Sequence, residues 1–384
     1  MDMELKKYLY KAASMIAASQ DSLFKVPVKK QKEFIESLKE PKDLIERSYN
    51  QYKCQRWLKS WRVNIVTDIG SILLLFYYYY LKKEEKILNT EHFNGIYLGM
   101  DVTSKFIPKE LRDIYANIKN ISRTGECLSK NDKKIIKELL RRYPLSFEFI
   151  LKCLIKVRMY SWIINVYSPD AIIVSGEYSY TSSFLTYYCR KNNIKHINIM
   201  HGEKLFYIRD SFFKFDKCYV WAPYYINLFK RLKAEPNQFV VAVPPALILK
   251  GTYNKKYDYT YYLGEETEEN LVKILQILMK LKTMGYKVAV RPHPIYSKMI
   301  LIDKIFNQKI EIENPKETQI KESVLQTQNV ISLYSTVINQ AVNSEINAII
   351  DDVSDMGRYK LLYELEYRFV VDSRVSLVSK LIAQ

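Results

Sequence analysis

The sequence has neither a GxxxxGK[ST] nor a GxGxxG pattern, the glycine-rich turns that let backbone amides cradle phosphate, which disfavours a P-loop ATPase and a standard dinucleotide site. Its five cysteines (Cys54, Cys127, Cys153, Cys189, Cys218) are odd in number and widely spaced, with no CxxC pair and no histidine at metal-ligand spacing. A zinc site and a disulfide framework are therefore not expected, and reduced thiols of a cytoplasmic protein are. The longest apolar run, residues 69–81 (IGSILLLFYYYYL), has 13 residues, short of the roughly 20 a membrane crossing needs. A buried helix is the expectation there, with an interfacial helix as the alternative that its tyrosines and Lys82 and Lys83 would suit. Residues 1–21 lack the continuous apolar core of a signal peptide, so the chain reads as not exported.

Acidic residues are the minority charge: 59 Lys and Arg stand against 42 Asp and Glu, a formal net charge of +17. That excess favours an anionic partner, whether a nucleotide donor, an acidic glycan or a membrane surface. No recognised nucleic-acid-binding motif accompanies it, and nucleic acid is not the expected partner. At 384 residues the chain exceeds the roughly 250–300 residues a single core usually reaches, so two domains are expected.

Residues 1 to about 60 carry helical apolar spacings and form a helical preface. Residues 62–70 (RVNIVTDIG) read as a strand and turn leading into the 69–81 helix, and residues 94–99 (NGIYLG) as a second strand. Residues 129–166 are mostly helical, with a basic face on 130–143 that reads as solvated, docking on anionic lipid or acceptor polysaccharide being the alternative. Strand-like segments then recur at 168–179, 195–203, 217–222 and 239–243, with helices between them. Residues 244–256 (PPALILKGTYNKK) break the periodicity and mark the boundary, giving domains 1–245 and 246–384. Strands follow at 259–266, 288–294, 310–313, 329–336 and 347–352, with a terminal helix near 375–383. Strand-helix alternation of this kind predicts α/β architecture: two doubly wound Rossmann-like domains facing across a cleft, behind the helical preface.

Ligands of such sheets bind at the carboxyl ends of strands, and the candidate residues lie at such ends. In VAVRPHP (288–294), Arg291 offers a forked phosphate donor and His293 a hydrogen bond, with Pro292 and Pro294 restricting the turn. In NVISLYST (329–336), Ser332, Ser335 and Thr336 stand where strand gives way to helix, able to cap the helix or to frame a phosphate at its N-terminus. In NIMHGE (198–203), His201 precedes Gly202, which permits a tight turn; a neutral histidine there could take a proton from an acceptor hydroxyl. Glu177 in SGEYS could do the same or orient His201. GEETEE (264–269) reads as the acidic first turn of a helix, and Asp351 and Asp352 end a strand without forming a metal cage.

Together, IMHGE (199–203), DKCYVWA (216–222), RPHP (291–294) and SLYSTVINQAV (332–342) resemble the two-domain GT-B glycosyltransferases of bacterial surface-polysaccharide synthesis. The branch they resemble includes capsule sialyltransferases, polysialyltransferases and CDP-glycerol or CDP-ribitol polyol-phosphate transferases. The resemblance covers roughly residues 168–352. It implies that His293, Ser335 and Thr336 hold the donor's phosphate with Arg291 assisting, and that Gln340, where related sequences often carry Glu, meets a ribose or sugar hydroxyl alongside Ser332. The polyol-phosphate branch implies a catalytic base at His201; the sialyltransferase branch implies an acidic base, for which Glu177 is the candidate.

The expected activity is metal-independent, cofactor-free transfer of a sugar, sialic acid or a relative, from a CMP-activated donor to a glycan or lipid-linked glycan acceptor. The alternatives are CDP-polyol phosphotransfer and a catalytically silent glycan-binding assembly protein. The expected location is cytoplasmic, peripheral on the inner face of the cell membrane.

Overall fold

The computed structural model describes residues 26–85, 87, 90–99 and 105–383. The chain divides into two compact units, Met1–His201 with Phe206–Ala242 and Gly202–Leu205 with Val243–Gln384. Each is built on one six-stranded sheet in which every strand pairing is parallel.

The first sheet runs β2-β1-β3-β4-β5-β6, from β1 (Gly95–Leu98), β2 (Ile118–Asn120), β3 (Ala171–Val174), β4 (Lys195–Ile199), β5 (Lys217–Val220) and β6 (Phe239–Val241). Its inner strands are short apolar runs such as AIIV, all four residues buried, as expected where helices cover both faces of a parallel sheet. The crossover between β3 and β4 is the helix Ser182–Lys191, and that between β5 and β6 is Pro223–Arg231, whose proline stands at the first helical turn, where its missing N–H costs nothing.

The second sheet runs β12-β11-β10-β7-β8-β9, from β7 (Tyr257–Tyr262), β8 (Val288–Arg291), β9 (Glu311–Ile312), β10 (Thr327–Ser332), β11 (Asn347–Ile350) and β12 (Val375–Leu377). The chain lays β7, β8 and β9 outward to one side, then returns to place β10 on the other side of β7. The order therefore reverses between β7 and β10, and a crevice opens at the carboxyl ends of those two strands, where ligands of doubly wound sheets bind. These two Rossmann-like sheets are the predicted α/β fold.

Three local expectations are corrected. Residues 62–70 form no strand but belong to the helix Trp61–Phe76, continued by a π turn at Tyr77–Leu81. Ser60 caps the helix by accepting from the Val63 amide, and Asp68 and Thr67 face inward to Arg56 and Glu148, so contacts override the strand preference of Val63, Ile65 and Val66. Nor is this helix buried: Leu73 is 72% exposed and Ile69 59%. The segment near 375–383 opens with a short strand, β12, before the helix Val378–Ile382.

One buried titratable group ties the first sheet to its helices. His196, in β4, is 1% exposed; its ring nitrogens meet the Tyr160 hydroxyl at 3.0 Å and the Thr186 hydroxyl at 2.8 Å. Burial pushes its pKa down to about 3, so the native ring is neutral while an unfolded one charges below the ordinary value of 6.5. The unfolded state then binds the extra proton, and stability falls as the medium is acidified. Between pH 6.5 and pH 4, this group is expected to lower the unfolding free energy by about 1.4 kcal/mol per pH unit. Denaturant titrations across that range should lose this contribution in His196→Gln, which is also expected to cost roughly 1–3 kcal/mol at neutral pH.

Candidate functional site

Two clusters at strand carboxyl ends hold the residues singled out by the sequence, one in each unit. In the first unit, Glu177 follows β3 and His201 follows β4. Glu177 is fully buried: one carboxylate oxygen accepts from the His201 backbone amide at 3.0 Å and the other from Asn198 Nδ2 at 3.0 Å. Asn198 in turn accepts from the Gly176 amide at 2.7 Å, and Gln51 Nε2 donates to the Glu177 carbonyl at 2.9 Å. The carboxylate is thus spent on holding the β4 turn. His201 is exposed, and the turn continues through Gly202 at φ +65° with nothing within 4 Å of a built Cβ. Only glycine takes that conformation without strain. These bonds hold the backbone of the turn that carries His201.

In the second unit, three loops are laced around the end of β7. The Ser332 hydroxyl donates to the Tyr262 carbonyl at 2.9 Å, joining β10 to β7. The Leu263 amide donates to the Arg291 carbonyl at 2.9 Å, joining β7 to β8. Ser297 closes the lacing: its hydroxyl accepts from the His293 amide at 2.8 Å and donates to the Gly264 carbonyl at 2.9 Å. RPHP, SLYST and the Gly264 turn are therefore parts of one locality.

Within it the candidates differ in posture. The Arg291 side chain is 5% exposed and paired with Glu313 at 3.0 Å, with a second nitrogen donating to the Thr318 carbonyl at 2.8 Å. Glu313 also accepts from Ser323, whose hydroxyl meets Tyr262 OH at 2.9 Å. The expectation of Arg291 as a phosphate fork is revised accordingly: its guanidinium is committed to an internal ion pair. His293 is half-buried and stacks on Tyr296 with ring centroids 4.6 Å apart. Its Nδ1 accepts from the Ile295 and Tyr296 amides at 3.1 and 3.2 Å, which places the proton of the neutral ring on Nε2 as a hydrogen-bond donor. Desolvation lowers its pKa from the ordinary value, which favours that neutral form.

Ser335 caps the helix Thr336–Asn343, accepting from the Val337 amide at 3.2 Å, and Thr336 is exposed beside it. The start of this helix lies at the carboxyl edge of the sheet, where a helix N-terminus favours an anion. Ser332 and Gln340, expected to meet substrate hydroxyls, each donate to a backbone carbonyl, Ser332 to Tyr262 at 2.9 Å and Gln340 Nε2 to Ala246 at 3.3 Å.

Several further groups shape this end of the sheet, and no ligand role was expected of them. A pocket at the β7–β10 crevice is lined by Glu266, Asn270, Tyr334, Asp355 and Arg358, among others. Glu266 folds back so that both its oxygens accept from the Gly264 amide, at 2.7 and 2.9 Å, and burial pushes its carboxyl above the usual range. Asp351, fully buried, accepts from Tyr261 OH at 2.5 Å and from the Val353 and Ser354 amides at 2.9 Å, fixing the turn after β11. Glu203, the last residue of IMHGE, accepts from Asn339 on the Thr336–Asn343 helix at 2.5 Å. Within GEETEE, Glu268 and Glu269 form the first turn of the following helix as expected, whereas Glu266 precedes its cap and serves the turn instead; the partner of Glu203 lies 136 residues away, beyond any local signal.

No family model matches this chain, and no curated protein matches it. Among solved structures it is similar to the UDP-GlcNAc 2-epimerase of Methanocaldococcus jannaschii, at 18% identity and TM-score 0.44, covering 75% of this chain and 90% of that one. It is also similar to S. aureus MnaA in its UDP co-structure, at 10% identity and TM-score 0.43, covering 67% and 78%. A third likeness is to the wall teichoic acid polymerase TagF, at 11% identity and TM-score 0.41, covering 87% and 88%. At these values the fold assignment rests on the two parallel sheets themselves.

If Arg291 serves the internal pair, Arg291→Met is expected to lower the unfolding free energy by roughly 3–5 kcal/mol, the cost of stranding a buried carboxylate. Adding Glu313→Leu should restore part of that loss. Denaturant melts of the single and double variants check this; unchanged stability in Arg291→Met would return the arginine to the ligand.

Proposed function

We propose that this protein is a transferase of cell-surface glycan synthesis that uses a cytidine-nucleotide-activated donor and needs neither metal nor cofactor. The observation that carries the proposal is the lacing of RPHP, SLYST and the Gly264 turn around the β7–β10 reversal. In support of this reading, it sets two groups suited to phosphate at strand ends on either side of β7, the His293 Nε2–H donor and the start of the Thr336–Asn343 helix. In this reading His293, Ser335 and Thr336 hold the donor phosphate and stabilise the charge that grows on it as the leaving group departs. Arg291 stiffens the turn from beneath through Glu313. The second unit binds the donor, and the first supplies proton removal from the acceptor hydroxyl.

The first reading of the donor is a CMP-linked sugar such as sialic acid. One observation favours the second, a CDP-linked polyol phosphate: the Glu177 carboxylate is bound to the His201 amide and Asn198, whereas the His201 ring is exposed. A histidine base fits the polyol-phosphate branch of the resemblance, and an acidic base the sialyltransferase branch.

Incubation of the purified protein with CMP- and CDP-linked donors and acceptor glycan, in EDTA, is expected to release CMP from one of them. No release from any donor would leave a silent binding protein as the better reading, and strict metal dependence would remove the mechanism. His293→Ala is expected to lower kcat/KM by roughly a hundredfold or more, and His201→Ala to lower kcat by roughly 10²–10⁴. Glu177→Gln, which keeps an acceptor for the His201 amide, is expected to cost less than about tenfold; a loss as large as that of His201→Ala would make Glu177 the base.

A further inference from the structure

The helix Trp61–Phe76 and its π turn Tyr77–Leu81 carry an open apolar stripe. Trp61, Ile65, Ile69, Leu73, Phe76 and Tyr80 recur at three- and four-residue spacing, hence on one face, and all are exposed, from 48% at Ile65 to 72% at Leu73. A stripe this continuous on a soluble surface marks an interaction site.

The other face is pinned to the first unit along its length. Asp68 pairs with Arg56 at 2.5 Å, and Ser71 is buried. Glu148, on the helix Phe147–Tyr167, receives Thr67 at 3.2 Å and Lys59 at 2.6 Å. At the far end Arg158, 1% exposed and paired with Glu126 at 3.0 Å, donates to the carbonyls of Tyr78, Lys82 and Lys83 at 3.1 to 3.4 Å. The 21-residue helix is long and apolar enough to cross a membrane, but crossing would strip these ionic contacts from it. A partner must come to the open face instead.

The flanks indicate which partner. Arg62 lies over the Trp61 ring at 5.4 Å at one end, and Lys82 lies over the Tyr78 ring at 5.9 Å at the other, with Lys83 exposed beyond it. Glu84 and Glu85 are exposed next to Lys83, so the local excess is modest, but the whole chain carries +17. An apolar face that carries Trp61, Phe76 and Tyr80 and is edged by Arg62, Lys82 and Lys83 suits a helix lying at the headgroup boundary of a bilayer, and the charge matches anionic lipid. We propose that this helix lies in the surface of an anionic bilayer with its axis parallel to the plane, docking the first unit there. The inference stands apart from the donor chemistry.

Flotation of the full chain with vesicles of phosphatidylcholine mixed with phosphatidylglycerol tests it, against vesicles of phosphatidylcholine alone. The wild-type protein is expected to float with the anionic vesicles, and Ile69→Asp with Leu73→Asp to weaken that partition at least about tenfold while leaving the circular-dichroism melt unchanged. Arg62→Glu with Lys83→Glu keeps the stripe and should lose the preference for anionic vesicles, which decides the matter if the first variant folds poorly. Equal flotation by the aspartate variant, an intact anionic preference in the glutamate variant, or a wild-type protein that ignores vesicles would each overturn the proposal. Self-association in sedimentation without vesicle binding would give the face to a second copy of the chain and overturn it as well. Nucleotide release plays no part in the readout, so this result and that of the donor panel fail independently.

Discussion

A parallel sheet buried on both faces has no room for chemistry along its strands, and the arrangement of this protein depends on that constraint. Backbone polar groups inside the sheet are consumed by neighbouring strands, and side chains on both faces must be apolar or fully paired. Polar function is confined to the strand ends, where the chain turns into a helix and its amides need partners. Both candidate clusters sit at carboxyl ends, after β3 and β4 in one unit and after β7, β8, β10 and β11 in the other. The reversal between β7 and β10 adds the crevice, because successive connections leave in opposite directions there.

The same constraint explains why charged residues in the two clusters hold the site instead of facing outward. A turn at the end of a buried strand has amides that solvent reaches poorly, and a buried carboxylate is the strongest acceptor available to them. Glu177 takes the His201 amide, Asp351 takes those of Val353 and Ser354, and Glu266 takes that of Gly264. Arg291 neutralises a carboxylate of this kind, Glu313. Glu177 holds the turn that carries the exposed His201, and Arg291 with Glu313 braces the end of β8 just before the half-buried His293. Preorganisation of that kind is worth more to a transition state than an additional mobile charge, because no reorientation is needed as charge develops.

Much of this was legible in the sequence, and the boundary of legibility is physical. Among the described residues, ten of the twelve strands coincide with runs read as strands, most of them because a strand covered on both faces must be short, apolar and bounded by turns. β2 (IKN) and β12 (VSL) escaped because three residues with none buried, at a sheet edge, leave no apolar run to read. The 62–70 segment was misread because its β-branched residues prefer a strand, and contacts from Arg56 and Glu148, invisible in the local pattern, override that preference. Site positions were read from the strand-end pattern, but postures were not. Arg291 and His293 are two residues apart, yet one closes on Glu313 and the other turns onto its own following amides. Nothing in RPHP reveals that Glu313 lies within reach of Arg291, since β9 reaches β8 only through the sheet pairing.

The apolar helix is the converse case, in which burial was inferred from composition and the fold denied it. An apolar run becomes core only if another element covers it, and here the covering side was taken by polar work: Asp68, Thr67 and the carbonyls near Lys82 face inward to Arg56, Glu148 and Arg158. With ionic groups binding the helix to its own unit, the apolar residues are left on the outside. That inversion is costly for an isolated soluble protein, since each exposed Leu or Ile forgoes about 1.5–3 kcal/mol of burial. The cost is recovered when the open face meets an apolar phase, and a bilayer boundary offers one together with anionic headgroups for Arg62, Lys82 and Lys83. The polar face determines where the helix is fixed, and the apolar face determines what the unit is fixed to.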